Sequence, residues 1–255
     1  MGAHGRAGSG IRVVVARSAA GLISLPDAVS RMSLPTPCFL CSFKTYPGTA
    51  GRDGVSLARE LAVAASDAGV PVALAPQTPD LRLFAESVDV PLIAQAADAA
   101  APGEGTGDVL VETLATAGAD ALFVNHPERE ASLSETRELI RRCDDAEMDA
   151  VVCARSVSEA RAVADFGADW VLFERPEDVA SGEPLVAEEP ERVRAAVDAV
   201  ASVNSSTRVA VGGGIAEPAH VAAARECGVD GVGAASAVVT AESPAETLRG
   251  LLEAF

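Results

Sequence analysis

From Cys38 to the C-terminus, short apolar runs alternate with amphipathic stretches eight times, and this alternation limits the fold more than anything else in the chain. The runs are 39–44, 71–75, 91–95, 121–125, 150–154, 170–174, 208–211 and 231–234. Each is too short for a helix and is bounded by Gly, Pro or polar residues, which is how strands read. The stretches between them carry helix signals. Residues 54–68 have apolar side chains at helical spacing. Ser132-Leu133-Ser134-Glu135 is a capping box that opens a helix reaching about 146. Ser156 or Ser158 caps a helix ending near Phe166-Gly167, and 188–203 opens with acids and a proline. Residues 217–226 stop at Cys227-Gly228, and Ser243-Pro244 opens the last helix. Three runs are preceded by one phrase: Ala117-Gly118-Ala119-Asp120, Phe166-Gly167-Ala168-Asp169 and Cys227-Gly228-Val229-Asp230. Each phrase ends a helix at glycine and enters the next strand within two residues. Eight such units predict an α/β chain closed into a single-domain (β/α)8 barrel over 37–255. A doubly wound sheet is the competing architecture, but no G-x-G-x-x-G follows the first run.

Residues 1–31 stand apart from this pattern. They carry a net charge of +3, whereas the whole chain carries −17. Arg12 and Arg17 interrupt the apolar part, so the segment makes a poor secretory signal. A disordered tail, a targeting segment and an extension upstream of a true start at Met32 all compete. The abrupt change in composition favours the last. The acidic balance argues against nucleic acid or an anionic membrane as a partner. No apolar stretch reaches membrane-spanning length. A single lysine among nineteen arginines, on an acidic chain, fits a salt-adapted cytosol, although high-GC coding also exchanges Lys for Arg. The five cysteines do not pair by spacing. Cys38 and Cys41 lie three apart on one strand and so point to opposite faces, while Cys143, Cys153 and Cys227 read as small buried fillers. This pattern suits a reducing cytoplasm and offers no metal site.

A (β/α)8 barrel keeps its chemistry at the carboxyl ends of its strands. The first run ends in Ser42 and Lys44, which strand alternation puts on one face. The third ends in Gln95, the fourth in Asn125-His126, the sixth in Glu174, the seventh in Gly212-Gly213-Gly214 and the eighth in Ala234-Ala235-Ser236. Each has an ordinary structural explanation: a satisfied histidine, half of an ion pair, a tight turn. Together they suit proton transfer beside a carbonyl. Glu174 would take a carbon-bound proton if burial raises its pKa towards working pH. His126 would hydrogen-bond the carbonyl oxygen, and Lys44, the only ammonium, would stabilise charge on that oxygen or on a phosphate. Backbone N–H groups of the glycine turn would hold a phosphate. A Schiff-base aldolase would also use a lysine, and failure of borohydride trapping would dispose of that idea.

In this order, the residues resemble the triosephosphate isomerase family, its shorter archaeal form most closely. The matching phrases are Ser-Phe-Lys-Thr-Tyr (42–46), Ala-Pro-Gln-x-x-Asp-Leu (75–81), Ala-Gln (94–95), Pro-Gly-x-x-Thr-Gly (102–107), Asn-His-x-Glu (125–128), Val-Val-Cys (151–153), Glu-x-Pro-Glu (174–177), Gly-x-Gly-Ile (212–215) and Ala-Ser (235–236). The resemblance covers 37–255 and none of 1–31. It implies a TIM barrel that interconverts glyceraldehyde 3-phosphate and dihydroxyacetone phosphate, in glycolysis and gluconeogenesis, without metal or organic cofactor. It implies Lys44 as substrate-binding cation, His126 as electrophile, Glu174 as base and Glu128 as a supporting acid. A carboxylate base paired with a neutral imidazole is the well-known arrangement of this family, so that pairing comes from the resemblance and not from the spacing of the residues. By resemblance the substrate meets Ser42, and the phosphate meets backbone near Val179, Gly214, Ala235 and Ser236. A cytoplasmic homo-oligomer, dimer or tetramer, is also implied, with residues 98–107 as the contact.

Departures from the family pattern gather at the same place. Ser42 replaces an Asn, and Pro127 and Ala216 each replace a Ser. Ala180 and Ala237 replace glycines, and Ala96 replaces a larger polar residue. They leave open a paralogue acting on another phosphosugar, or a barrel kept only for ligand binding.

Overall fold

The computed structural model describes residues 32–175 and 184–255. The reading of residues 1–31, and the expectations for Val179 and Ala180, lie outside the described residues. Eight parallel strands form one sheet: β1 (Cys38–Ser42), β2 (Val72–Ala75), β3 (Ile93–Ala94), β4 (Ala121–Val124), β5 (Asp149–Ala154), β6 (Trp170–Phe173), β7 (Arg208–Val211) and β8 (Gly231–Ala234). Pairing runs β2-β1-β8-β7-β6-β5-β4-β3. The Leu74–Leu92 bridge, with Leu74 N–H donating to the Pro91 carbonyl at 3.0 Å, closes β2 against β3. Closure makes the sheet a barrel and rules out the doubly wound alternative.

Period-two alternation assigns the faces. Cys38, Leu40, Ala73, Ile93, Phe123, Val151, Trp170 and Leu172 fill the interior, while Phe39, Cys41, Leu74, Leu122, Val152 and Phe173 face the helices. Cys38 and Cys41 therefore do point to opposite faces, and all five cysteines are buried free thiols. Trp170 needs a small neighbour: a Cβ at Gly231 would stand 3.0 Å from its ring.

The helices are α1 (Gly51–Ala68), α2 (Leu81–Ala85), α3 (Val111–Ala117), α4 (Leu133–Asp145), α5 (Val157–Asp165), α6 (Leu185–Glu188), α7 (Pro190–Ala201), α8 (Pro218–Glu226), α9 (Ser236–Val239) and α10 (Pro244–Leu252). The capping box at Ser132 and Glu135 forms, and Ser156, not Ser158, caps α5 by accepting from Glu159 N–H. The stretch 188–203 is not one helix. Glu189 adopts φ −132°, ψ 57°, because the residue before a proline is pushed out of the helical region, and Pro190 starts α7 afresh. The short helices α2, α3 and α9 have too few turns to show a period in the sequence.

The three Gly-x-Asp phrases do more than turn the chain. Asp120 accepts from Leu92 N–H at 2.9 Å, Asp169 from Ala150 N–H at 2.8 Å and Asp230 from Val209 N–H at 2.9 Å. Each carboxylate thus fastens the start of its own strand to the start of the neighbouring one. Residues ahead of β1 use the same device. Met32 N–H donates to Asp120 at 3.0 Å and Leu34 N–H to Asp149 at 2.7 Å. Leu34, 6% exposed, packs into the interior cluster and closes the amino-terminal end of the barrel.

Candidate active site

At the other end, a cavity of about 350 Å³ opens among the carboxyl ends of the strands. Ser42, Lys44, His126, Glu174, Gly214, Ala235 and Ser236 all line it, whereas Gln95 and Asn125, which the sequence also puts at strand ends, are not part of its lining. Glu128 stands behind them and reaches Lys44.

Lys44 arrives by a different route from the one expected. β1 ends at Ser42, and Lys44 is not a strand residue; its backbone is left-handed, with φ 42°. Strand alternation therefore does not set its direction. Its N–H donates to Ser42 Oγ at 3.3 Å, and its carbonyl accepts from Gln95 Nε2 at 3.0 Å. Gln95 also donates to the Ala75 carbonyl at 3.0 Å, which ties the turn to β2. A left-handed lysine costs on the order of 1–2 kcal/mol and persists only when its surroundings hold it. From this turn the ammonium meets Glu128 Oε2 at 2.7 Å.

His126 follows Asn125, a second left-handed residue at φ 57°. Asn125 is pinned on both sides: Nδ2 donates to the Cys153 carbonyl at 3.2 Å, and Oδ1 accepts from Ala131 N–H at 3.1 Å. His126 Nδ1 accepts from Glu128 N–H at 3.1 Å. An accepting Nδ1 carries no proton, so the neutral ring holds its hydrogen on Nε2. Burial pushes the imidazole pKa down, and Lys44 adds to this; Glu128 opposes both. The ring is thereby kept neutral, with a donor aimed into the cavity.

That donor faces Glu174, whose Oε1 is 3.5 Å from His126 Nε2. Glu174 stands one residue beyond β6, its N–H still bonded to the Ala154 carbonyl at 3.1 Å, and it is 5% exposed. Parity with Trp170 and Leu172 turns it inward. Two neighbours shape its space. A Cβ at Gly212 would stand 2.6 Å from Glu174 Oε2. Burial, then the Glu174 carboxylate, pushes the Cys153 thiol pKa well up, so Cys153 stays protonated and faces that carboxylate as a donor. Sequence reasoning takes Cys153 only as filler. The available signal is its parity with Val151 on β5, which sends it into the barrel.

Gly213 and Gly214 take φ 76° and 68°, so the third side of the cavity is a turn that suits glycine. Ala216 N–H beyond it donates to His220 Nδ1 at 3.3 Å. Ala216 and Ala237 line the cavity, and Ala96 does not.

The sequence profile of the triosephosphate isomerase family matches residues 37–251. The chain belongs to the triosephosphate isomerase family. It is 37% identical to the triosephosphate isomerase of Methanothermobacter thermautotrophicus over 217 residues, 85% of this chain and 95% of the relative. Against that of Methanobrevibacter smithii the identity is 34% over 217 residues, covering 85% and 98%. The Methanopyrus kandleri relative is 37% identical over 221 residues, covering 86% and 98%. All three are archaeal, in keeping with the shorter form the sequence resembles. The crystal structure of triosephosphate isomerase from Bartonella henselae superposes with a TM-score of 0.68 at 15% identity, over 86% of this chain and 99% of that one, a likeness of fold. Membership places the chain among isomerases and sets aside a barrel kept only for ligand binding. Among the described residues no helix is long and apolar enough to cross a membrane.

Proposed function

We propose that this chain interconverts glyceraldehyde 3-phosphate and dihydroxyacetone phosphate, with Glu174 as base, His126 as electrophile and Lys44 as the cation that binds substrate. The observation that carries the assignment is the approach of Glu174 Oε1 to His126 Nε2, 3.5 Å, in a cavity also lined by Lys44 and the glycine turn. A substrate seated in the cavity against both groups gives its carbon-bound proton to the Glu174 carboxylate while its carbonyl oxygen accepts from the Nε2 hydrogen. The charge that develops on that oxygen is met by a fixed donor and by the Lys44 ammonium, neither of which has to reorganise. Returning the proton to the adjacent carbon completes the isomerisation, and the carboxylate is restored. The glycine turn and the backbone at Ala235 and Ser236 bind the phosphate. Glu128 holds Lys44 through its ion pair and fixes the imidazole tautomer through its own N–H.

Glu174→Gln tests the assignment. It is expected to lower kcat by about 10²–10⁴-fold with little change in KM, the range for loss of a positioned general base. Retention of wild-type turnover would overturn it. A second reading, a longer phosphosugar as substrate, draws on the small side chains Ala216 and Ala237 along the cavity wall. Comparing kcat/KM for triose, tetrose and pentose phosphates separates the two.

The acidic, lysine-poor composition supports a salt-adapted cytoplasmic protein. The eight consecutive exposed residues 101–108, beyond β3, support association through that loop into a homo-oligomer. Light scattering on the wild type and on a chain shortened within 101–108, in low and in molar salt, tests both points. A monomer in every condition would remove the oligomer.

A further inference from the structure

Arg175 follows Glu174 directly and faces the other way. Glu174 N–H makes the last β5–β6 rung with the Ala154 carbonyl, and successive residues of an extended chain point to opposite faces. Glu174 therefore turns into the barrel and Arg175 towards the helix layer. The Arg175 side chain is 11% exposed, which is unusual for a guanidinium unless carboxylates surround it. Its Nη2 donates to Glu188 Oε2 at 2.5 Å and its Nη1 to Glu189 Oε1 at 2.7 Å. Both carboxylates come from the break between α6 and α7 that Pro190 imposes. Glu189 is in turn braced by Arg192 Nη1 at 3.4 Å, and Arg192 Nη2 donates to the Arg155 carbonyl at 2.8 Å, just beyond β5. A continuous set of charge-assisted bonds thus runs from the residue after Glu174, through the α6–α7 break, to the top of the neighbouring strand.

We propose that Arg175 is a positioning residue for the isomerase reaction. Its anchorage on Glu188 and Glu189 fixes the backbone at 174–175 and so aims the Glu174 carboxylate at the space in front of His126. The inference rests on Glu174 being the base. The fit on the inner side leaves the carboxylate little tolerance, since Gly212 and Cys153 flank it and His126 Nε2 lies 3.5 Å away. The backbone that carries it is held from the outer side, where Arg175 is anchored on Glu188 and Glu189. A lysine would carry the charge without the fork that grips two carboxylates at once.

The test compares wild type, Arg175→Ala, Arg175→Lys, the double variant Glu188→Gln/Glu189→Gln, and Glu174→Gln, each with kcat, KM, affinity for inorganic phosphate and melting temperature. The expected result is a fall in kcat of about 10–100-fold in Arg175→Ala, the scale of misplacing a catalytic group by about an ångström. KM and phosphate affinity should stay within about twofold, as for an interaction felt only in the transition state. Arg175→Lys should recover part of kcat, and the double variant should reproduce the alanine effect. The double variant also serves if Arg175→Ala does not fold. Wild-type kcat in Arg175→Ala or in the double variant would overturn the proposal. So would parallel losses of kcat, phosphate affinity and melting temperature, which would mean that the bonds only hold the fold. If Glu174→Gln itself kept wild-type turnover, it would be the assignment of the base that failed.

Discussion

Gly212 and Glu174 share one space: a Cβ on the glycine would stand 2.6 Å from the carboxylate oxygen Oε2. The glycine comes from the end of β7 and the carboxylate from the end of β6, so neighbouring strands jointly define where the base can rest. The need here is for room, because φ at Gly212 is not in the left-handed range.

Gly212→Ala is therefore expected to fold and to fail in catalysis. The added methyl displaces the carboxylate, and kcat falls on the order of 10²-fold while affinity for inorganic phosphate changes little. Steady-state kinetics beside a phosphate titration would check this, and an alanine variant with undiminished kcat would refute it.

His126 gives a pH prediction with a definite sign. Burial, then Lys44, lowers its pKa below 6.5, so the folded state favours the neutral ring. The stability this contributes is present above the unfolded value and is lost as pH falls through the lower folded one. NMR titration of the imidazole should give a midpoint below 6.5 with the Nε2–H tautomer. Lys44→Ala should move that midpoint upwards. A midpoint above 6.5 in the wild type would contradict the neutral electrophile.

At the opposite end of the barrel Asp149 has the reverse sign. Its pKa is pushed up to about 6, by burial first and then by Asp169 and Asp120, against the lowering effect of the Leu34 N–H bond. A raised folded-state pKa means that its contribution is full below the unfolded value of 3.8 and is lost as pH rises through about 6. Asp149→Asn keeps an acceptor for Leu34 and removes the charge. Its melting temperature should exceed that of the wild type at about pH 8 and match it or fall below it at about pH 4. Solvent screening keeps the gain small, on the order of 2 °C. Calorimetry at the two pH values decides, and a loss at the higher pH would show that the charged form is the one the Leu34 contact needs.

The capping box at α4 offers a control that is remote in chemistry from the cavity. Ser132 accepts from Glu135 N–H at 3.3 Å, and Glu135 returns a bond to Ser132 N–H at 2.7 Å. Ser132→Ala should cost about 1 kcal/mol of stability and leave kcat and KM unchanged. Denaturant unfolding measures the first and steady-state kinetics the second.

The order of the eight strands, the inward or outward facing of strand residues and the grouping of Lys44, His126, Glu174 and the glycine turn at one end can all be read from the chain. These features are written in the two-residue period of strands and the 3.6-residue period of helices, in capping residues and in glycines that end helices, all of which act between near neighbours in sequence. The opposite facing of Cys38 and Cys41 is one such reading, and the capping box at Ser132 is another. Where the reading fails, distant parts of the chain are acting. Alternation predicts a strand through Lys44, but Gln95, 51 residues away, holds it in a left-handed turn, and Glu128, 84 residues away, receives its ammonium. The tautomer of His126, the approach of Cys153 and Gly212 to Glu174, the clamps made by Asp120, Asp169 and Asp230, and the burial of Arg175 beneath Glu188 and Glu189 likewise depend on contacts that exist only once the barrel has closed. Local periodicity determines which residues arrive at the cavity; the packing of strands against one another decides how each side chain is aimed there.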